Sequence, residues 1–250
     1  MVIAKPLSDQ YQFLMTEISP PSKPRSYEHA HSPRGRSSAH VADYLRDMIV
    51  LGDLKAGARI DELAMTENLQ VSRTPLREAF KILQVEGLVE IRPNRGAWVV
   101  SLSVQDVADI IKVLTALEGL AIEDACKNAT ETDLAELDSL HADMVMAYQG
   151  GDLMGYFALN QSIHLKIVEC AGNPALTRIY QTESARVRRF RFAGNEVPTR
   201  WADAVEEHAL ILSVLRRREA GLLRELLKSH HQRGWQVAKA VLENERAQES

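Results

Sequence analysis

Cysteine is nearly absent. Cys126 and Cys170 are the two in 250 residues, too few for a disulfide scaffold, and no C-x-x-C zinc pattern occurs. Nowhere does an apolar run approach the roughly 18–20 residues needed to cross a bilayer. The opening MVIAKPLSDQYQFLM has no apolar stretch of signal-peptide length. These absences exclude a secreted mini-protein, a membrane protein and a collagenous repeat, and make a reduced, cytoplasmic protein the expectation. Strong charge of one sign is missing too: 30 basic residues face 34 acidic ones, for a net charge of -4. Bulk electrostatics therefore do not announce nucleic acid, and any DNA contact rests on a few well-placed side chains. What is present is ordinary: 45% hydrophobic and 26% charged residues, enough apolar side chain for a core.

Residues 1–38 read as a disordered arm. Pro20, Pro21, Pro24 and Pro33 fall among serines, apolar periodicity fades after Met15, and Arg25, Arg34 and Arg36 are placed to brush a phosphate backbone. From His40 the spacing of Val41, Tyr44, Leu45, Met48 and Ile49 predicts a helix that Gly52 stops. After a turn, LKAGARI, a short helix runs from Asp61 to Leu69. Ser72 then caps a third helix, Arg73 to Glu86, with Pro75 in its first turn and Leu76, Phe80, Leu83 and Val85 on its buried side. Gly87 ends it. Two strands, LVEI and AWVVSL, follow around the turn Arg92-Pro93-Asn94-Arg95-Gly96. Three helices and a hairpin over residues 39–102 outline a winged helix-turn-helix.

Beyond residue 102 the strand signal stops. Ser103 with Asp106 forms a capping box that opens a helix through Val107, Ile110, Leu114 and Ile122. Thr130 or Thr132 caps the next, which Gly150-Gly151 breaks; Asp152 begins another, to Cys170. Gly172-Asn173-Pro174 separates it from a fourth, and two more cover about 200–219 and 221–246. Residues 103–246 thus read as six helices in an all-α bundle, and the fold class as mainly α.

Arg73 and Arg77 stand four apart, on one face at the start of the third helix, where free backbone N–H groups and the helix dipole favour phosphate. Ser72 and Thr74 add hydroxyls, and Arg95-Gly96 sits at the wing tip. VSRTPLREAF with EGLVEIRPNRGAWVV resembles the winged helix-turn-helix of the GntR family of bacterial transcription regulators. The resemblance implies double-stranded operator DNA as partner, with Ser72, Arg73, Thr74, Arg77, Arg95 and Gly96 as its contacts. Where the family usually has glycine before the recognition helix, this chain has Gln70.

The helical half carries Asn160-x-x-x-His164 followed by AGNP, then EEHALIL with His208, and KSHHQRG with His230. It resembles the ligand-binding domain of the FadR-type branch, its FCD group. That resemblance implies a divalent metal on Asn160, His164, His208 and His230. Three imidazoles on facing helices suit zinc or nickel, and the neutral ring that ligates is lost to protons below about pH 6.5. It further implies a small organic acid as effector, commonly helped by an arginine just before a Leu-Glu pair. Here the pair is Leu117-Glu118, but Leu114 and Thr115 stand where that arginine belongs, so Arg186 and Arg189 become the candidates. His231 is expected to point away from its neighbour and lie exposed, and His141 has no constellation.

The leading expectation is a homodimeric regulator, not an enzyme, repressing a catabolic or transport operon. Two alternatives stay open. One is a metal-dependent hydrolase or hydratase built on His164, His208 and His230, although no carboxylate stands by motif as a general base. The other is a regulator whose helical domain only dimerises and holds no metal.

Overall fold

A computed structural model describes residues 37–195 and 197–249. The expected arm, with Arg25, Arg34 and Arg36, lies outside the described residues. Three helices come first: α1 (Ser38–Leu51), α2 (Glu62–Leu69) and α3 (Arg73–Val85), followed by an antiparallel pair β1 (Val89–Arg92) and β2 (Gly96–Val99). Local chemistry sets the ends. Asp61 accepts from the N–H groups of Leu63 and Ala64 to start α2, and Gly52 takes a left-handed conformation after α1. Val41, Leu45 and Ile49 of α1 meet Leu76, Phe80 and Leu83 of α3 over Val89 and Val99 of the hairpin. Deleting one such side chain to alanine costs about 2–5 kcal/mol.

Two details depart from the sequence reading. Residues read as a plain turn extend the wing: Arg59 pairs with Trp98, and the N–H groups of Ile60 and Val99 donate to Ala97 and Ala58 carbonyls at 2.9 Å each. Val85, expected in the core, is 79% exposed as the last residue of α3.

The remaining described residues form only helices: α4 (Val104–Asn128), α5 (Glu131–Gly150), α6 (Leu153–Glu169), α7 (Pro174–Arg186), α8 (Arg188–Asn195), α9 (Pro198–Arg216) and α10 (Ala220–Glu249). Capping boxes open both α4 (Ser103/Asp106) and α5, where Thr130 rather than Thr132 is the cap, paired with Asp133. Seven helices stand where six were expected. The stretch after Pro174 breaks at Val187, whose backbone leaves helical geometry (φ -99, ψ 7) with neither glycine nor proline to signal it. Arg218 joins α9 to α10 in a left-handed conformation, and its guanidinium donates to the carbonyls of Cys126 and Ala129 that close α4. One apolar cluster runs from Leu137, Met144 and Tyr148 through Phe157 and Ile163 to Val205, Leu212 and Leu223. A second joins Val107 and Leu114 of α4 to Val168, Leu176 and Tyr180. The polar cluster described next sits between these two.

Candidate nucleic-acid interface and metal centre

In the head, α3 follows α2 through a tight turn at Gln70, which is left-handed (φ 52, ψ 44) where a side chain costs roughly 1–2 kcal/mol. Ser72 occupies the N-cap position of α3, yet its hydroxyl makes no capping bond. Ser72, Arg73, Thr74 and Arg77 are all exposed, at the end of α3 where its positive dipole emerges. Arg77 keeps 66% of its side chain exposed while its Nε lies 3.3 Å from Glu62 Oε2. Between α3 and the wing runs a groove of about 870 Å³ that includes Arg73 and Arg77. Arg59, Lys81 and Arg92 also line it, three cations that sequence reasoning missed because they come from the loop before α2, the middle of α3 and the wing. Arg95 is exposed at the hairpin turn, and Gly96 is left-handed (φ 84) beside Arg59. Basic side chains on a free helix end, next to a projecting wing, match the major groove with its flanking phosphates.

In the bundle, His164 (α6), His208 (α9) and His230 (α10) come together, their ligating atoms within 4.8 Å of one another. All three rings are at least 95% buried. Two of the three Nδ1 atoms are hydrogen-bonded from behind. His208 Nδ1 donates to the carbonyl of Ala204, one turn earlier, at 2.7 Å, and His230 Nδ1 donates to Glu207 Oε2 at 2.5 Å. His164 Nδ1 lies 3.3 Å from Glu118 Oε1, an ion-pair distance without good hydrogen-bond alignment. The Nε2 atoms are left facing inward: His164 and His230 meet at 3.2 Å, and His208 Nε2 has no partner. Two imidazole nitrogens at 3.2 Å need a shared proton or a cation between them. Asn160 adds a buried Oδ1 without a hydrogen-bond donor. Three converging imidazole nitrogens and an orphaned amide oxygen fit a divalent first-row ion.

Burial keeps these rings neutral. It pulls His164 down to about 4, against the opposing pull of Glu118, and it holds His208 and His230 well below the usual histidine range. Proton competition for the ligands therefore begins at lower pH than the 6.5 expected for a free ring. Glu118 is opposite in kind. Burial pushes its pKa up, but the neighbouring His231 and His164 outweigh that and hold the carboxyl well below its ordinary value.

Glu118, Glu207 and His231 were not read from the sequence as part of this cluster. His231, expected to be exposed, is 6% exposed and donates from Nε2 to Glu118 Oε2 at 2.5 Å. The reason is packing: α10 lies against α4, α8 and α9 together, so two consecutive residues both find covered faces. Tyr180 donates to the other oxygen of Glu118 at 2.5 Å. The glutamates sit behind the rings at Nδ1, on the side away from the Nε2 atoms, the usual place of carboxylates that orient a metal-bound histidine. His141 is also buried, with its Nε2 3.3 Å from the carbonyl of Val205.

Arg186 and Arg189, expected to receive an effector, are placed against the head. A Cβ at Gly87 would lie 2.8 Å from Arg186 Cγ, and one at Gly52 would lie 3.5 Å from Arg189 Nη2. Neither lines the cavity of about 40 Å³ beside the histidines, which Phe190, Arg191, Gly194 and Asn195 of α8 do. Arg200 of α9 lines the same cavity.

A winged helix-turn-helix with a basic groove, followed by a helical bundle, defines a DNA-binding protein with an appended second domain. Comparison with known proteins agrees: the model for bacterial regulatory proteins of the gntR family matches residues 37–99, and that for the FCD domain matches residues 109–233. The chain belongs to the GntR family of transcription regulators and carries an FCD domain. It is 31% identical over 195 residues to a Paenarthrobacter nicotinovorans protein named "Probable D-xylose utilization operon transcriptional repressor", covering 76% of this chain and 85% of that one. It is 26% identical over 189 residues to the HTH-type transcriptional repressor RspR of Escherichia coli, covering 75% and 82%. Among solved structures, E. coli McbR/YncC superposes with a TM-score of 0.70 at 25% identity, over 80% of this chain and 96% of that one. No helix among the described residues is long and apolar enough to cross a membrane.

Proposed function

We propose that this regulator is a cytoplasmic, homodimeric repressor of a catabolic or transport operon, with a divalent metal and a small organic acid bound in its bundle controlling the DNA-binding heads. The two parts divide near Leu102–Ser103. The observation that carries the DNA assignment is the exposed start of α3, where Arg73 and Arg77 open onto the groove beside the wing. On this reading Arg73 and Arg77 reach base edges, Ser72 and Thr74 hold phosphate, and Arg95-Gly96 enters the adjacent minor groove. Two heads related by a two-fold axis read two halves of a near-palindromic operator.

The converging Nε2 atoms and the unpaired Asn160 Oδ1 support the metal, zinc or nickel, on Asn160, His164, His208 and His230. When bound, the ion supplies a Lewis-acidic position for an oxygen ligand. Glu118 and Glu207 orient His164 and His230, and the apolar clusters on either side exclude bulk water.

The coupling runs through α8. One side of this short helix lines the cavity, and its first residues meet the head: Arg188 lies beside the Arg46–Glu86 pair and Arg189 beside Gly52 at the end of α1. A ligand shifts the heads only if it favours one of two α8 positions, so its affinity must differ between them. The test is the affinity of full-length protein for a duplex selected from a random pool, measured with metal loaded and with metal stripped. A difference of fivefold or more in wild type, abolished by Arg189→Ala without loss of metal, is expected. Equal affinity in both wild-type states would remove the regulatory part of the proposal.

A further inference from the structure

One wall of the basic groove in the head is unsuited to phosphate. It is the start of α2, where Asp61, Glu62 and Leu63 line the groove. A helix start ordinarily offers free N–H groups and a positive dipole to an anion. Here Asp61 Oδ1 already accepts from the N–H groups of Leu63 and Ala64, at 2.9 and 3.1 Å. Glu62 adds a second negative charge; its side chain is 25% exposed and its Oε2 lies 3.3 Å from Arg77 Nε. Two carboxylates repel a DNA backbone, which carries one negative charge per roughly 1.7 Å of duplex. The start of α2 therefore faces base edges rather than phosphates.

Leu63 is 58% exposed on that same wall. A single exposed leucine is ordinary on a protein surface. This one lies in a groove with Arg73 and Arg77, where Phe80 is buried and Ile91 half-buried, so Leu63 alone among these three presents an open apolar face. Its side chain neither donates nor accepts, and only an apolar group gains by covering it. The major groove of a duplex presents one such group, the C5-methyl of thymine. Glu62 ties the start of α2 to Arg77, which places that thymine close to the base pair that Arg77 reaches.

We infer that Leu63 packs against the C5-methyl of a thymine in each operator half-site, so that the start of α2 is a second reading element beside α3. This rests on the reading of α3 and the wing as the DNA face, and it specifies a base which that face selects. Leu63 is a specificity residue here: it carries no charge, so it governs which duplex is chosen and leaves the phosphate contacts alone.

The test replaces thymine by deoxyuridine, one position at a time, in a duplex selected from a random pool by the full-length protein. Deoxyuridine removes the methyl and keeps the base pairing. Wild type is expected to lose about three- to fivefold in affinity at one thymine of each half-site, the worth of one buried methyl. Leu63→Ala should show no loss at that position, and Leu63→Met, which keeps an apolar body, should restore it. The slope of log affinity against log salt should be the same in all three proteins, because no phosphate contact changes. Circular dichroism reports whether each variant folds. A wild type indifferent to deoxyuridine at every position, or a Leu63→Ala protein with the wild-type losses, would overturn the inference. Arg73→Ala, titrated alongside, separates the two readings. If it loses the preference for the selected duplex, such a result overturns the role of Leu63 alone; if it keeps that preference, the assignment of α3 falls as well.

Discussion

His164 and His230 face each other Nε2 to Nε2 at 3.2 Å, each with a glutamate on the Nδ1 side of its ring. A carboxylate only accepts, so Glu207 fixes the proton of His230 at Nδ1 and presents its Nε2 lone pair forward. That lone pair meets His164 Nε2 at 3.2 Å, where a divalent cation can take the place of the shared proton. His164→Ala is therefore expected to lower the bound metal of purified protein in elemental analysis. Glu118→Gln should retain stoichiometry at saturating metal but weaken affinity about 10–100-fold, as other outer-sphere partners do. Unchanged metal content in His164→Ala would leave the ion without its central ligand.

Acid should weaken the metal-free protein. His164 is held to about 4 when folded and returns to about 6.5 when unfolded. Between these values the unfolded chain binds a proton that the folded chain refuses, so stability rises with pH across that window. His208 and His230, depressed by the same burial, act in the same direction. Glu118, lowered in the folded state, adds stability that is present above the ordinary carboxylate range and is lost as pH falls through and below it. The thermal midpoint of chelator-treated protein should be several degrees lower at pH 5 than at pH 7. A midpoint that stays flat or rises on acidification would contradict the neutral, buried assignment of these rings.

Gln70 marks a strained turn. At φ 52 glutamine bears a left-handed cost that glycine does not, offset in part by glycine's greater freedom when unfolded. Gln70→Gly should leave stability equal or raise it by up to about 1 kcal/mol, whereas Gln70→Val, β-branched at positive φ, should lower it by more than about 1 kcal/mol. Denaturant midpoints decide between these outcomes. A valine variant as stable as wild type would mean that the turn is not held left-handed in solution.

Much of the head was legible because each of its boundaries carries a chemical signal. Gly52, Asp61, Ser72, Gly87 and the Pro93-Asn94 turn all fall at element ends. The bridge at Arg59 was hidden because it forms by pairing with a residue nearly forty positions away, and LKAGARI has no alternation of its own. In the bundle, the histidines were legible as a set, but their partners were not. Glu118 looked like half of a Leu-Glu pair, and only the packing of α4 against α10 brings it to His231 across 113 residues. Arg186 lies before the irregular residue Val187, on a different helix from the cavity-lining Arg191, while Arg189 shares α8 with Arg191 but takes another face, beside Gly52.

The most direct test is anisotropy titration of a labelled duplex, selected from a random pool by the wild-type protein, against wild type and Arg73→Ala at fixed salt. Loss of a bidentate arginine contact is worth roughly 1–3 kcal/mol, so affinity for the selected duplex should fall by about 5–150-fold. Binding to scrambled duplex should change little, and the variant should keep the oligomeric state and circular dichroism of the wild type. An Arg73→Ala protein that still prefers the selected duplex by the wild-type margin would contradict the assignment of α3 as the element that reads DNA.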